Sequence, residues 1–195
     1  MKLYLSIIGF AVAVISALNI ALGACAWYYA IIATVWCTAL QFALDGTIAI
    51  LIKKMPEAWF GVENRLYHVS DFEKTLYKKL RVRLWKDKVW ELGGIGGFSK
   101  KTLAEPSNPE YIEKFIIECN KGVLTHRLSY PIGFLAMLTL SGVTPLTIAL
   151  PVAIVNLFLN ILPTLALRYN TPMLKAILTR LRKKQYQNSK ENIYS

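Results

Sequence analysis

The sequence predicts an all-α integral membrane protein. About four transmembrane helices in two hairpins would flank a basic helical cytoplasmic segment. Three observations carry that reading. The chain is 54% hydrophobic and 18% charged, against about 45–50% and about 25% in an ordinary soluble domain. Its charges are segregated: between Lys2 and Lys53 the only charged residue is Asp45, and from Leu128 to Leu167 there is none. Of 23 Lys+Arg, all but Lys2 fall between Lys53 and Arg127 or in the tail from Arg168. An ordinary soluble enzyme, a disulfide-stapled secreted domain and a disordered chain are excluded by this composition.

Four segments follow, with boundaries at 1–53, 54–127, 128–170 and 171–195. Crossing about 30 Å of hydrocarbon takes about 20 apolar residues in a helix. Leu3–Ile52 therefore holds two spans, roughly Leu3–Leu22 and Trp27–Ile52, with a turn at Gly23-Ala24-Cys25-Ala26. Trp27, Tyr28 and Tyr29 suit the membrane interface. Lys2, the apolar run and Ala24-Cys25-Ala26 resemble a cleavable leader. The run is longer than the usual 7–15 residues, however, and a second span follows at once, so a retained hairpin is expected. Leu128–Leu167 is just long enough for two more spans bending near Pro145 and Pro151, or for a shallower re-entrant hairpin. The positive-inside rule puts both termini and the middle segment in the cytoplasm of a multi-pass cell-membrane protein. Cys25, Cys37 and Cys119 form no pairing or metal pattern and are expected to be inert packing residues.

Between the hairpins, Ser70-Asp71-Phe72-Glu73 reads as a capping box. The helix it opens places Phe72, Leu76, Tyr77, Leu80 and Leu84 on one stripe and Lys74, Lys78 and Arg81 opposite, a basic amphipathic pattern suited either to a membrane surface or to a solvated face above a small core. Gly93-Gly94-Ile95-Gly96-Gly97 ends it. That run completes neither a dinucleotide fingerprint nor a P-loop, so a turn is expected in place of a phosphate cradle. Asn108-Pro109-Glu110 opens a second helix with a cap, a first-turn proline and an early acid. Its apolar stripe is Ile112, Phe115, Ile116, Cys119 and Val123, and His126 continues it. Glu118, Gly122 and His126 stand at i, i+4, i+8, so the two titratable groups are about 12 Å apart along the axis with a gap between them. Within the spans, Gln41 and Asp45 share a face, as do Asn156 and Asn160. An ionisable residue inside a membrane is a functional candidate by default, although a structural partner for Asp45, such as an Asn or Arg, is equally admissible.

These residues resemble the bacterial glycosyl-4,4'-diaponeurosporenoate acyltransferases of carotenoid biosynthesis. The resemblance runs through Phe72-Glu73-Lys74, Tyr77, Leu80 and Val82-Arg83-Leu84-Trp85-Lys86-Asp87. It continues in Gly96-Gly97-Phe98-Ser99-Lys100, Ile112-Glu113-Lys114-Phe115-Ile116-Ile117-Glu118, Leu124 and His126. Asn160, Arg168-Tyr169-Asn170 and Pro172 complete it. Val123, Arg127, Thr171 and Met173 stand where the family pattern has other residues.

The resemblance implies transfer of a fatty acyl group onto a hydroxyl of a membrane glycolipid, such as a glycosylated carotenoid. His126 would be the general base, since imidazole titrates near neutral pH, and Glu118 would orient the acceptor or a water. Arg83, Lys86 and Arg168 would hold an anionic donor, and Trp85, Asp87, Tyr169 and Asn170 complete the implied substrate-binding set. The donor would be an acyl thioester of coenzyme A or acyl carrier protein. No bound cofactor, no metal and no nucleic acid are expected; the partners are the bilayer and its lipids. His68-x4-Glu73 imitates the His-x4-acid pattern of glycerolipid acyltransferases, but Glu73 already has a capping role. The competing reading is a non-enzymatic membrane module, a small transport or assembly component of a lipid pathway.

Overall fold

The computed structural model describes residues 2–89 and 103–194, and among them there is no strand. Six α-helices follow in order: α1 Lys2–Ala21, α2 Trp27–Lys53, α3 Asp71–Lys79, α4 Val82–Trp85, α5 Pro109–Ile132 and α6 Leu150–Tyr194. Short 3-10 turns at Glu57–Phe60, Arg65–Tyr67, Lys86–Lys88 and Gly133–Thr139 link them, with a π-helical turn at Pro145–Ala149. Among the described residues, three stretches are long and apolar enough to cross a membrane, Tyr4–Ala21, Trp27–Lys53 and Pro145–Lys190, as in a membrane protein. The chain divides into two compact units, Met1–Lys54 with Leu124–Leu162, and Met55–Val123 with Pro163–Ser195.

In the first unit the α1–α2 turn falls at the glycine the sequence offers. Gly23 takes φ +62°, while its N–H donates to Ile20 O at 3.1 Å and Ala24 N–H to Asn19 O at 3.0 Å. This is a Schellman closure, which needs the left-handed conformation that glycine adopts without steric cost. The core is built from small and branched residues, Ile15, Ala33, Cys37, Ala136, Ile148, Ala149 and Val152. Alanines let helix backbones approach closely where hydrocarbon surroundings supply little hydrophobic drive.

The second apolar stretch departs from a plain helical hairpin. α5 ends at Ile132, one residue after Pro131, and the chain continues as the 3-10 turn to Thr139. A 3-10 turn rises about 2.0 Å per residue against 1.5 Å, so Leu124–Thr139 covers about 26 Å. Side chains fix its course beside α2: Gln41 Nε2 donates to Gly133 O, and Trp36 Nε1 to Thr139 Oγ1 at 3.3 Å. The reversal comes earlier than expected, at residues 140–144, where Gly142 takes φ +64°. Pro145 opens the π-helical turn, where a first-turn residue needs no intrahelical N–H partner, and Pro151 is the second residue of α6, directly after that turn.

In the second unit both helix caps stand as read. Ser70 Oγ accepts from Glu73 N at 3.2 Å and Glu73 Oε2 from Ser70 N at 3.0 Å. Asn108 Oδ1 accepts from Glu110 N at 3.0 Å and Tyr111 N at 3.3 Å. The α5 stripe Ile112, Phe115, Ile116, Cys119 and Val123 is buried throughout. The long amphipathic helix from Phe72, by contrast, is not continuous. α3 stops at Lys79 and Arg81 takes the left-handed φ 49° before α4. The Trp85 indole N–H donates to Leu80 O at 3.0 Å, satisfying a carbonyl that the broken helix leaves over. The break turns Val82 inward beside Val69 and Tyr77, with Trp85, Leu165 and Tyr169 around them. Phe72, Leu80 and Leu84 are left exposed while Tyr77 is buried, so only part of the predicted stripe faces the core. The glycine run Gly93–Gly97, its neighbours Trp90 and Phe98–Lys101, and the helix end expected there lie outside the described residues. Residues 171–195, expected as a separate basic tail, are helical as far as Tyr194 because α6 continues through Pro163 and Pro172.

Candidate functional site

The first unit holds a line of polar side chains in apolar surroundings. It grows from two pairs visible at i, i+4 spacing, Gln41 with Asp45 on α2 and Asn156 with Asn160 on α6. The fold sets the pairs against each other: Asn156 Nδ2 donates to Gln41 Oε1 at 2.9 Å, and Asn160 Nδ2 to Asp45 Oδ2 at 3.2 Å. Asn160 Nδ2 also reaches Asn156 O at 3.0 Å and Asn156 Oδ1 at 3.2 Å. His126 joins from α5, its Nδ1 2.8 Å from Asn160 Oδ1.

The line has one direction, and its two ends dictate it. The Gly133 carbonyl can only accept, so Gln41 must offer it the amide nitrogen. The Gln41 oxygen is then left to accept from Asn156, whose own oxygen accepts from Asn160. A carboxylate also only accepts, and Asp45 independently demands the Asn160 nitrogen. Asn160 Oδ1 is thereby left facing His126, and an oxygen there requires Nδ1 to carry the proton. In the neutral ring the lone pair is then on Nε2. Gly133 permits the arrangement: a Cβ there would stand 2.7 Å from Gln41 Oε1 and 3.2 Å from Asn156 Nδ2. One Asp45 oxygen is held by Asn160, while Oδ1 is buried with no hydrogen-bond partner among the described residues.

The second unit uses full charges. Arg168 lies 4% exposed and grips Glu73 with two bonds, Nε to Oε1 at 2.8 Å and Nη2 to Oε2 at 2.7 Å. Nη2 also donates to His68 O at 2.8 Å. Burial pushes the Glu73 carboxyl up, but hydrogen bonds from Arg168 and the Ser70 backbone outweigh it and hold the group at about 2. Tyr77 donates to Glu73 Oε1 at 3.2 Å and meets the Tyr169 ring edge-on at 6.2 Å between centroids. Glu118, the expected companion of His126, is bound in this unit to Lys121 at 2.8 Å. Lys121 also reaches Glu57 at 3.5 Å and lies over the Phe60 ring.

Each expected site residue can now be located. His126 stands on the amide line of the first unit. Arg168 is occupied by Glu73, Tyr169 and Trp85 pack in the core with Tyr77, and Lys86 pairs with Asp87 at 2.8 Å. Arg83 is exposed and Asn170 half-buried. Residues of the second unit that carried the family resemblance, Glu73, Tyr77, Trp85, Arg168 and Tyr169, thus gather into one knot in which Tyr77 and Arg168 are buried and the others half-buried. Sequence reasoning missed Gly133 altogether, and it left Gln41, Asn156 and Asn160 without a role in the site. The two polar pairs were the available signal; Gly133 gave none, being one of 11 glycines. His68 keeps its side chain exposed.

Neither the curated proteins nor the solved structures yield a match to this chain. The family model for glycosyl-4,4'-diaponeurosporenoate acyltransferase (CrtO) matches residues 63–180. That stretch takes in the Glu73–Arg168 knot, His126, and Asn156 and Asn160 of the amide line. The chain belongs to the glycosyl-4,4'-diaponeurosporenoate acyltransferase family.

Proposed function

We propose that the protein is a membrane O-acyltransferase, moving a fatty acyl group from a thioester donor to a hydroxyl of a membrane glycolipid, with His126 as general base. Family membership supports the reaction class. The observation that carries the residue assignment is the 2.8 Å contact of His126 Nδ1 with Asn160, itself held by Asp45. A base needs one nitrogen bonded and the other bearing the lone pair, and the amide line supplies that polarity. His126 Nε2 takes the hydroxyl proton as the sugar oxygen attacks the thioester carbonyl carbon. The new C–O bond forms, the C–S bond breaks, and the imidazolium returns the proton to the departing thiolate. Asp45 stabilises the transient imidazolium through the Asn160 dipole, an effect strengthened by low-dielectric surroundings. Arg168 is given no donor-binding part in this scheme, because its Nε and Nη2 are committed to Glu73 and the His68 carbonyl.

We further infer that the mixed α/3-10 stretch Leu124–Thr139 makes a fourth crossing; an even number keeps both termini and residues 53–123 on one side, the cytoplasmic one by the positive-inside rule. The absence of Lys and Arg from the opposite turns, around Cys25 and Gly142, supports that orientation. Cysteine introduced at Asn64, in a background without the native cysteines, should resist an impermeant thiol reagent in intact cells; labelling from outside would overturn it.

The assay is transfer from a long-chain acyl thioester to a glycolipid by full-length protein in vesicles. His126→Gln should lower the rate about 10²–10⁴-fold, the usual worth of a positioned base, with the amount of inserted protein unchanged. Near-normal turnover by His126→Gln would make the residue structural. No transfer by wild type to any glycolipid would favour the non-enzymatic module.

A further inference from the structure

Beside the amide line, within the first unit, lies an open, narrow groove. α1 lines it from Tyr4 through Ala11 to Ile15, α2 with Phe42, and α6 from Val152 to Leu159. Tyr4 to Ile15 makes it about 16 Å long at 1.5 Å per residue. It contains three further polar side chains, Thr38, Gln41 and Asn156, and each is already engaged. Thr38 donates to Thr34 O at 2.8 Å, and Gln41 and Asn156 bond to Gly133, to each other and to Asn160. The wall therefore suits hydrocarbon and would bind a headgroup poorly, since a polar ligand would lose hydration without gaining partners.

The groove is also oriented. Ile15 and Val152 share one core cluster, and Asn19 Nδ2 donates to Thr147 O at 2.9 Å. α1 and α6 thus run antiparallel, with the Tyr4 end beside Leu159. The next residue on α6 is Asn160, which holds His126. One end of an apolar channel accordingly abuts the candidate base, and the other runs away from it.

We propose that this groove holds the donor's fatty acyl chain, with the carbonyl carbon at the Leu159–Asn160 end and the methyl terminus toward Ile15 and Val152. The proposal rests on the acyl-transfer reading and assigns its substrate chain a place. Continuity with the His126–Asn160 contact selects an acyl chain over a bulk bilayer lipid.

The test uses wild-type, full-length protein in vesicles with a long-chain acyl thioester carrying a diazirine on its terminal carbon. Irradiation should label α1 between Ala11 and Ile15 or α6 near Val152, and unlabelled long-chain thioester should compete. Ala11→Phe and Val155→Phe should cut transfer of long chains about tenfold or more, the scale of a pocket rejecting excess methylenes, while short chains keep their rate. Leu18→Phe, outside the groove, should change neither. If Ala11→Phe fails to accumulate, Ala11→Leu makes the smaller obstruction. Uncompeted label spread equally over Leu18, Ile31 and Ile32, or an unchanged chain-length profile in an inserted Ala11→Phe protein, would overturn the proposal. Labelling needs no turnover, which separates the two failures. Competed label at Ala11–Ile15 without transfer keeps the groove and removes the enzyme reading. Transfer with label elsewhere does the reverse.

Discussion

The two units solve one problem, the burial of polar groups, by opposite means. The Met55–Val123 and Pro163–Ser195 unit pairs full charges, Arg168 with Glu73 and Lys121 with Glu118 and Glu57. The Met1–Lys54 and Leu124–Leu162 unit holds its one acid, Asp45, and His126 through neutral amides. Charge taken out of water is costly unless an opposite charge stands close by; Arg168 has that in Glu73, whereas Asp45 meets an amide donor and keeps Oδ1 without a partner among the described residues. A chain of amides also has a sense of direction that an ion pair lacks. That direction lets a backbone carbonyl at Gly133 determine which nitrogen of His126 carries the proton.

Removing one charge from the ion-paired unit should have the largest effect. Glu73→Ala leaves Arg168 buried and unpaired and deletes the α3 cap, so stability should fall by about 3–5 kcal/mol, read as a lower melting temperature in detergent. Glu73→Gln keeps an acceptor and should lose less. The same pair gives a pH signature. Its carboxyl lies at about 2 in the folded protein against an ordinary 4.5. The pair's contribution is therefore complete above about 4.5 and lost as pH falls through about 2. Glu73→Gln should remove that acid-sensitive part of the melting curve; an unchanged acid limb would mean that the pair contributes little.

The amide line should answer in activity. Asn160→Leu deletes the acceptor for His126 and the donor to Asp45, and transfer should fall about a hundredfold, as for a misplaced catalytic group. Gly133→Ala drives a methyl against the Gln41 oxygen, two amides away from His126. It should cost less, about tenfold or roughly 1.4 kcal/mol, in kcat with KM little changed. Equal losses from the two variants would argue against a directional line.

The units also differ in how readily the sequence could be read. Apolar length, Gly23 and the two caps disclosed α1, α2 and the starts of α3 and α5, because each depends on residues within one or two turns. The break at Leu80–Arg81 was hidden, since no glycine or proline marks it and the apolar period runs straight through. It is made by Val82 and Trp85 turning into a core that only the folded chain supplies. The polar pairs Gln41/Asp45 and Asn156/Asn160 were visible, but their meeting across 115 positions was not. Arg168 belonged to a recognisable signature, yet its partner Glu73 is 95 residues away. Its structural engagement therefore could not be told from a donor-binding role.

The account depends most directly on the tautomer of His126. The chain has two histidines, so a His68→Gln background isolates the signal in nitrogen-15-labelled protein. Above the titration of the ring, the shifts should report a proton on Nδ1 and a bare Nε2, and Asn160→Leu should abolish that bias. A proton on Nε2 in the otherwise wild-type protein would contradict the directional amide line and the assignment of His126 Nε2 as the base.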